Sequence, residues 1–204
     1  MNKKIIIGLT GLIGSGKSLV AQMFMECGAK IIDTDVMAHQ LTAVNGVAIA
    51  EIKNKFGAEF ILQNGGLNRD KMRQLVFEDK KSKQLLESIL HPLIYDATTL
   101  DLIASDVSCV IVVVPLLFKT KNFIELVDRT LFIDCDEEQI IDRVKIRNNL
   151  NAIGIKKILN AQLSREEQLN LADDIIENNG SIITLRQKVV ELYNKYIAKQ
   201  KKII

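Results

Sequence analysis

Residues 11–18 read Gly-Leu-Ile-Gly-Ser-Gly-Lys-Ser. Within them, Gly11, Gly16, Lys17 and Ser18 fill every fixed position of the phosphate-binding pattern G-x-x-x-x-G-K-[ST]. A short apolar run typical of a strand precedes the match, and a helical run follows it, which is the context that the pattern requires. The sequence therefore predicts a P-loop that binds a nucleoside triphosphate together with magnesium.

Each residue type in this loop has a part in holding a triphosphate. The glycines leave room for backbone N–H groups to surround the phosphates, and the start of the following helix adds a positive potential. Lys17 supplies a mobile charge to the β- and γ-phosphates, and the Ser18 hydroxyl is placed to bind Mg²⁺. The residues predicted to bind the nucleotide are Gly11, Leu12, Ile13, Gly14, Ser15, Gly16, Lys17 and Ser18, of which Ser18 is also the predicted metal ligand.

Two acidic residues, Asp33 and Asp35, follow the next apolar run. At the carboxyl end of a parallel strand they would lie where open α/β sheets bind their ligands. A carboxylate there can accept the proton of an attacking hydroxyl, as phosphoryl transfer requires. We favour Asp33 as the general base and Asp35 as a contact to the acceptor or to magnesium. The pattern also fits one of the two acids as the cap of a helix beginning near Val36, and the two roles are compatible.

Arginines occur in a polar, helical segment at residues 136–171. Arg143 and Arg147 are spaced so that they share a helix face, and Arg165 lies in a capping-box pattern. A lid that carries arginines can neutralise charge on the transferring phosphoryl group and exclude water, which would otherwise take the phosphate. The alternative is that these arginines lie on a solvated helix surface.

The elements that must position these residues alternate along the chain. Strand-like runs separated by helical patterns predict an α/β fold of the P-loop NTPase type, a parallel five-stranded sheet flanked by helices. The connections between its strands should be right-handed. The predicted strands are Lys4–Leu9, Lys30–Asp33, Cys109–Val114, Arg129–Asp134 and Asp174–Glu177.

Two helical segments interrupt this alternation, so the predicted nucleotide-binding core is discontinuous. Residues 35–106 contain no convincing strand, and we interpret them as an acceptor-binding subdomain. Its long helical pattern is broken near Pro92, which should either start a new helical turn or kink the helix. Residues 136–171 are the predicted lid. The core then comprises residues 1–34, 107–135 and 172–204.

The composition is that of a soluble globular protein: 204 residues, 48% hydrophobic and 25% charged. A formal net charge of +2 gives no argument for a nucleic-acid partner. The 3 cysteines and 2 histidines show no disulfide or metal-ligand spacing. Because no signal peptide and no apolar run of about 18 residues is seen, we expect a cytoplasmic protein without a membrane partner. Its oligomeric state is not readable from the sequence.

Classes of P-loop protein differ in the motifs, most of them acidic, that follow the P-loop along the chain. A GTPase should carry N-K-x-D, but the nearest string, Asn54-Lys55-Phe56-Gly57, lacks the Asp. A transport ATPase should have an apolar strand ending in acids, whereas Val110–Val114 leads into Pro115-Leu116-Leu117. Leu131–Asp134 imitates such a strand but leads into the predicted lid. These features favour a small-molecule kinase.

Taken together, the motifs resemble those of the bacterial dephospho-coenzyme A kinase family over most of the chain, from Ile6 to Gly180. The paired acids, the His-Pro segment and the Pro-Leu-Leu segment, in this order, are more specific than the P-loop alone. The segments that carry the resemblance are Gly8–Ser18 with Thr10 before the P-loop, Ile32–Asp35, Leu67–Arg69, Val76-Phe77, Ile89–Ile94, Val114–Phe118, Gln162, Arg165, Ala172–Asp174 and Asn178–Gly180.

The resemblance implies ATP-dependent phosphorylation of the ribose 3′-hydroxyl of dephospho-coenzyme A, the last step of coenzyme A synthesis, with ATP and Mg²⁺ as cofactors. It implies that Asp33 is the base, that Lys17 and Ser18 hold phosphates and magnesium, and that Arg143 and Arg147 act from the lid. The residues expected to contact the substrate are Thr10, Asp35, Arg69, His91, Pro115, Leu116 and Arg165.

Three residues depart from the family's usual pattern. His39 stands where the family has Arg, Lys119 where it often has an acid, and Asn148 where the lid often has Asp. If the missing Arg contacts the acceptor, His39 does so more weakly or Arg69 takes over. Two other functions stay open: a nucleoside or nucleotide kinase of similar build, and a P-loop regulatory protein that holds or hydrolyses nucleotide. The absent N-K-x-D and the second paired acid speak against the regulatory protein.

Overall fold

The computed structural model of the chain describes residues 4–148 and 152–201. The chain divides into two compact units. The sheet unit comprises residues 1–32 and 105–204, and the helical unit comprises residues 33–104. The helical segment predicted at 35–106 thus corresponds closely to the helical unit, whereas residues 136–171 belong to the same unit as the sheet.

Five strands form one sheet in the order β2-β3-β1-β4-β5. The central strand β1 pairs in parallel with both of its neighbours, and the predicted parallel sheet is confirmed. The strand β1 ends at Gly11 rather than at Leu9, because Gly11 still pairs with Ile133 of the neighbouring strand. The strands are β1 (Ile5–Gly11), β2 (Lys30–Asp33), β3 (Cys109–Val113), β4 (Arg129–Asp134) and β5 (Asp174–Glu177).

Helices fill most of the remaining described chain. None of the helices in the described ranges combines the length and the apolar character that crossing a membrane requires. In chain order the helices are α1 (Lys17–Glu26), α2 (Thr34–Leu41), α3 (Ile49–Phe56), α4 (Arg69–Glu78), α5 (Lys80–Ile103), α6 (Lys121–Leu126), α7 (Glu137–Asn148), α8 (Ala152–Ala161), α9 (Arg165–Leu171) and α10 (Ile182–Lys201).

The sheet is buried because helices pack against it. Apolar side chains of α1 and α10 join those of β1 in one core cluster, in which the rings of Phe24 and Tyr196 stack at 6.3 Å. A second cluster joins Phe132 of β4 to Ile140 and Val144 of α7. Burial of this kind explains why β1 and β3 read as uninterrupted apolar runs rather than as alternating patterns.

The strand order reverses beside β1. From β1 the chain leads to β2 at one edge, and from β4 it leads to β5 at the other edge. In open α/β sheets, ligands bind outside the carboxyl ends of the strands at such a reversal. The P-loop follows the carboxyl end of β1, so the topology places it where a ligand is expected.

A buried ion pair ties β5 to β4 and α10. The side chain of Asp174 is 7% exposed and accepts hydrogen bonds from Arg129 Nε at 2.8 Å and from Tyr196 Oη at 3.0 Å. Burial alone would raise the pKa of Asp174, but the bonds from Arg129 and Tyr196 outweigh it and hold the pKa below its ordinary value. The carboxylate therefore stabilises the fold at neutral pH.

We expect Asp174→Asn to lower the free energy of unfolding by about 2–3 kcal/mol at neutral pH, since it leaves Arg129 without its buried partner. Because the folded-state pKa of Asp174 is lowered, this stabilisation is present above about pH 4 and is lost as the pH falls through the folded-state value. Urea titrations of both proteins from neutral pH downwards measure it. Asp142→Asn, on the surface of α7, is the control and should change stability by less than about 0.5 kcal/mol. A difference that persists unchanged at low pH would contradict this account.

The helical unit has a core of its own. Ile52, Phe60, Leu67 and Met72 are buried together, and a turn at residues 63–66 is closed by an antiparallel bridge between Ile61 and Leu67. This cluster gives the unit an apolar interior that does not depend on the sheet.

The break predicted near Pro92, with a new helical turn starting there, is wrong, because α5 runs from Lys80 to Ile103 with Pro92 inside it. The alternative, a kink of the helix at Pro92, stays a prediction. Proline removes one N–H donor from the helix. Leu90 and Leu93 on either side of it pack against the core of the helical unit. Tertiary packing therefore outweighs the local cost of the proline.

Candidate active site

The loop between β1 and α1 has the backbone that a phosphate cradle needs. Gly14 and Gly16 have φ angles of +75° and +101°, values that side chains other than glycine rarely adopt. Ser15 N donates to Leu12 O at 3.2 Å and closes the loop into a turn. Gly16 precedes α1 and has no side chain to occupy the first N–H groups of that helix, so an anion can bind there.

The glycines also allow close packing around the loop. A Cβ atom on Gly11 would lie 2.6 Å from Ser15 Oγ and 2.8 Å from the backbone oxygen of Ile133. A Cβ atom on Gly14 would lie 2.6 Å from the side chain of Val144 in α7. The loop is therefore held between β4 on one side and α7 on the other.

The Lys17 ammonium lies over the loop itself. Its Nζ atom donates to Gly11 O at 2.8 Å and to Leu12 O at 3.0 Å. A triphosphate is a much stronger partner for an ammonium than a backbone carbonyl is. The arrangement keeps the positive charge at the place where the pattern predicts phosphate.

Two side-chain amides from distant parts of the chain contact the loop. Gln162, just after α8, accepts a hydrogen bond from Ile13 N at 3.1 Å. Asn178, just after β5, donates from Nδ2 to Ser15 O at 2.7 Å. Sequence reasoning found both residues only as parts of the family resemblance and gave neither a role. No local pattern could reveal these contacts, because more than a hundred residues separate the partners.

Arg143 of the predicted lid lies beside the ends of β4 and β5. Its Nη2 atom donates to Gln139 Oε1 and to Asn178 O, both at 3.0 Å, and Nη1 donates to Cys135 Sγ at 3.3 Å. Burial raises the pKa of the Cys135 thiol and outweighs the opposite effect of Arg143. Arg147 lies in the same helix, but its side chain falls outside the described part of the structure.

Arg165 binds carboxylates at the end of β4. Its Nε and Nη2 atoms donate to the two oxygens of Asp134 at 2.6 and 2.7 Å, and Asp136 lies 3.4 Å away. The hydrogen bond to Asp134 raises the pKa of Arg165 above its ordinary value. The capping box predicted around this residue is confirmed. Sequence reasoning expected Arg165 to contact the substrate and did not identify these partners.

The segment after β3 contacts the end of β1. Thr10 is fully buried, and its Oγ1 atom donates to Pro115 O at 3.3 Å. The next residue, Leu116, is 45% exposed. Lys119 donates from Nζ to Ala161 O at 2.7 Å, at the negative end of α8. Lys119, which departs from the family pattern, therefore has a hydrogen-bond partner within the chain.

In the helical unit, Asp33 is the N-cap residue of α2. One carboxylate oxygen, Oδ1, accepts from Asp35 N at 2.9 Å and from Val36 N at 3.3 Å. The sequence predicted that one of the two acids caps this helix, and the structure shows that it is Asp33. Because the cap uses Oδ1, the orientation of the carboxylate is fixed, and Oδ2 remains to accept a proton.

The helical unit also contains an open cavity of about 450 Å³. Arg69 lines it together with His39, and Arg69 Nη2 donates to Thr42 Oγ1 at 2.8 Å and to His39 O at 3.0 Å. Apolar side chains, among them Val44 and Leu62, form another part of the lining. His91 lies on α5 and is exposed. Of the predicted acceptor contacts in this unit, Arg69 is the one that this cavity contains.

No group of three or more His, Cys, Asp or Glu side chains in the described ranges could hold a metal ion. Mg²⁺ bound with a nucleotide needs only one or two protein groups besides phosphate oxygens and water, and at the loop Ser18 is the residue that the pattern places to hold it. Ser18 is exposed at the start of α1 and is accessible to such a complex.

Comparisons with known proteins agree with this geometry. A family model described as dephospho-CoA kinase matches residues 5–184. A dephospho-CoA kinase of Nitrosomonas europaea is 47% identical over 195 residues, with 95% of each chain covered. One of Burkholderia pseudomallei is 43% identical, with 94% of this chain and 95% of the relative covered.

Solved structures show the same fold. A dephospho-CoA kinase from Campylobacter jejuni superposes with a TM-score of 0.72 at 25% identity and covers 95% of this chain and 98% of its own. A shikimate kinase from Acinetobacter baumannii is similar in fold alone, with a TM-score of 0.56 at 19% identity over 95% of each chain.

Proposed function

The chain belongs to the dephospho-CoA kinase family, and from this we propose that it transfers the γ-phosphate of ATP to the ribose 3′-hydroxyl of dephospho-coenzyme A. The observation that carries the proposal is the family match across residues 5–184. The shape of the P-loop, with the Lys17 ammonium over it, supports the part of the proposal that concerns the phosphate donor.

At the donor end, the backbone of residues 11–18 surrounds the β- and γ-phosphates. The Lys17 ammonium leaves the carbonyl oxygens of Gly11 and Leu12 and donates to phosphate oxygens instead. Ser18 is the residue that would hold Mg²⁺. When bound, the ion neutralises charge on the β- and γ-phosphate oxygens. The start of α1 contributes its positive potential at the same place.

At the acceptor end, Asp33 accepts the proton of the attacking hydroxyl through Oδ2. This role needs a carboxylate whose orientation is fixed before the substrate arrives, and the cap on α2 supplies that orientation. Asp35 contacts the acceptor or the magnesium ion from the first turn of α2.

The acceptor binds in the helical unit, in the cavity that contains Arg69. Dephospho-coenzyme A carries a diphosphate, which a guanidinium binds well, and a long, partly apolar arm, which suits the apolar lining. Arg69 takes the place of the arginine that the family has at position 39. His91, Thr10, Pro115 and Leu116 are the further contacts that we propose for the substrate.

Residues 136–171 form the lid in this proposal. Arg143 and Arg147 neutralise charge on the phosphoryl group as it transfers, and the closed lid keeps water out. Arg165 contacts the substrate only when its paired bonds to Asp134 open, so that contact accompanies a change of conformation. We further propose that the protein works in the cytoplasm without a nucleic-acid or membrane partner.

The test is an acceptor panel. Purified protein is incubated with ATP and magnesium in the presence of dephospho-coenzyme A, a set of nucleosides or a set of nucleotides. Mass spectrometry then measures the masses of the products. We expect dephospho-coenzyme A to gain the mass of one phosphate and the other compounds to stay unchanged. A comparable rate on a nucleoside or nucleotide would establish the alternative kinase instead.

A further inference from the structure

Asn178 occupies an unusual position for a polar residue. It follows β5 directly and is 5% exposed, and its backbone N donates to Asp134 O at the end of β4 at 2.8 Å. A buried amide side chain is costly unless its polar atoms are hydrogen-bonded. The contacts of this side chain therefore indicate why an asparagine stands here.

The side-chain amide of Asn178 donates a hydrogen bond to the backbone of the P-loop. Nδ2 donates to Ser15 O at 2.7 Å in a buried contact. Gly16 is the glycine that allows it, because a Cβ atom on Gly16 would collide with the same amide nitrogen. The loop and the asparagine thus fit closely together.

This bond sets the direction of a loop N–H group. The described backbone has no cis peptide bonds, and in a trans peptide the C=O and the N–H point in opposite directions. With Ser15 O drawn towards Asn178, the N–H of Gly16 points away from Asn178. In the P-loop pattern, backbone N–H groups of this kind surround the phosphates.

The backbone of the same residue holds a lid arginine. Asn178 O accepts from Arg143 Nη2 at 3.0 Å. A single residue therefore contacts the P-loop through its side chain, the end of β4 through its N–H, and Arg143 through its carbonyl.

We propose that Asn178 is a positioning residue for phosphoryl transfer, which orients the Ser15–Gly16 peptide for the β-phosphate and places Arg143 relative to the same loop. Asn178 itself contacts no reacting atom. The inference rests on the proposed function, because it needs the P-loop to bind nucleotide phosphates.

The first test compares ADP with AMP, which lacks the β-phosphate. In Asn178→Ala, Ser15 O loses its buried donor, and we expect the dissociation constant for ADP to rise about tenfold to hundredfold. The dissociation constant for AMP should change much less. Isothermal titration calorimetry measures both. Asn179→Ala, which removes the neighbouring amide that accepts from Asp136 N, is the matched control and should bind both nucleotides as the wild type does.

The second test uses Asn178→Asp, which keeps the size of the side chain and so tests the proposal even where Asn178→Ala does not fold. An ionised carboxylate cannot donate to Ser15 O, but a protonated carboxyl group can. We expect the loss of ADP affinity relative to wild type to shrink as the pH is lowered from about 8 to about 5. An Asn178→Asp protein that binds ADP as tightly as the wild type at about pH 8 would contradict the inference.

The outcomes separate the inference from the proposed function. A wild-type chain that binds ADP no more tightly than AMP would contradict the function of the P-loop. A normal wild type, together with Asn178 variants whose ratio of ADP to AMP affinity is unchanged at every pH, would contradict the inference about Asn178 alone.

Discussion

Lys17→Ala is expected to abolish phosphate transfer to dephospho-coenzyme A, with kcat reduced at least about 10²–10³-fold. The ammonium of Lys17 lies over the carbonyls of Gly11 and Leu12, where the P-loop pattern places the β- and γ-phosphates. Alanine removes the charge that would follow the phosphate during transfer. Steady-state rates of coenzyme A formation measure the loss.

The fold should survive this change. Lys17 is only partly buried, and its bonds to loop carbonyls are local, so we expect an unfolding temperature within a few degrees of wild type. Lys53→Ala, which removes an exposed lysine of α3 in the helical unit, is the control and should keep full turnover. Full turnover in Lys17→Ala would contradict the assignment of the P-loop as the phosphate-donor site.

Asp33→Asn is expected to lower kcat by about two to four orders of magnitude if Asp33 is the general base. An asparagine side chain accepts the same two N–H bonds at the start of α2, so the fold and the affinity for ATP should be retained. The change therefore removes proton transfer while keeping the cap. Single-turnover rates with saturating ATP and acceptor measure the effect on the transfer step.

Asp35→Asn is the matched comparison, because it makes the same chemical change two residues further on. We expect a weaker affinity for the acceptor or for magnesium and a smaller loss of kcat. If Asp35→Asn proves the more damaging and Asp33→Asn is mild, the two roles are reversed.

Local sequence patterns predicted much of the fold. The strands predicted at Lys30–Asp33, Arg129–Asp134 and Asp174–Glu177 occur with those bounds, because a strand buried by helices is a short apolar run between turns. A cap by one of the two acids and the Ser164 capping box could also be predicted, because a cap depends on neighbours within three residues. The pattern did not say which of Asp33 and Asp35 forms the cap.

Contacts between segments that are distant in the chain could not be predicted from the sequence. Arg165 pairs with Asp134 across 31 residues, and Asn178 reaches Ser15 across 163. Neither sequence position reveals which side chain the sheet will bring beside it. The continuity of α5 through Pro92 was missed for a related reason, because packing against the helical core outweighs the local preference of proline.

The central claim is that the γ-phosphate goes to a hydroxyl of dephospho-coenzyme A and not to water. Phosphorus NMR of one reaction, containing ATP, magnesium, dephospho-coenzyme A and catalytic protein, follows ATP, ADP, free phosphate and the new ribose phosphate together. The account predicts one new 3′-phosphate for each ADP formed, with little free phosphate. ADP and free phosphate that accumulate in step without the ribose phosphate would contradict it and would indicate a protein that hydrolyses nucleotide without an acceptor.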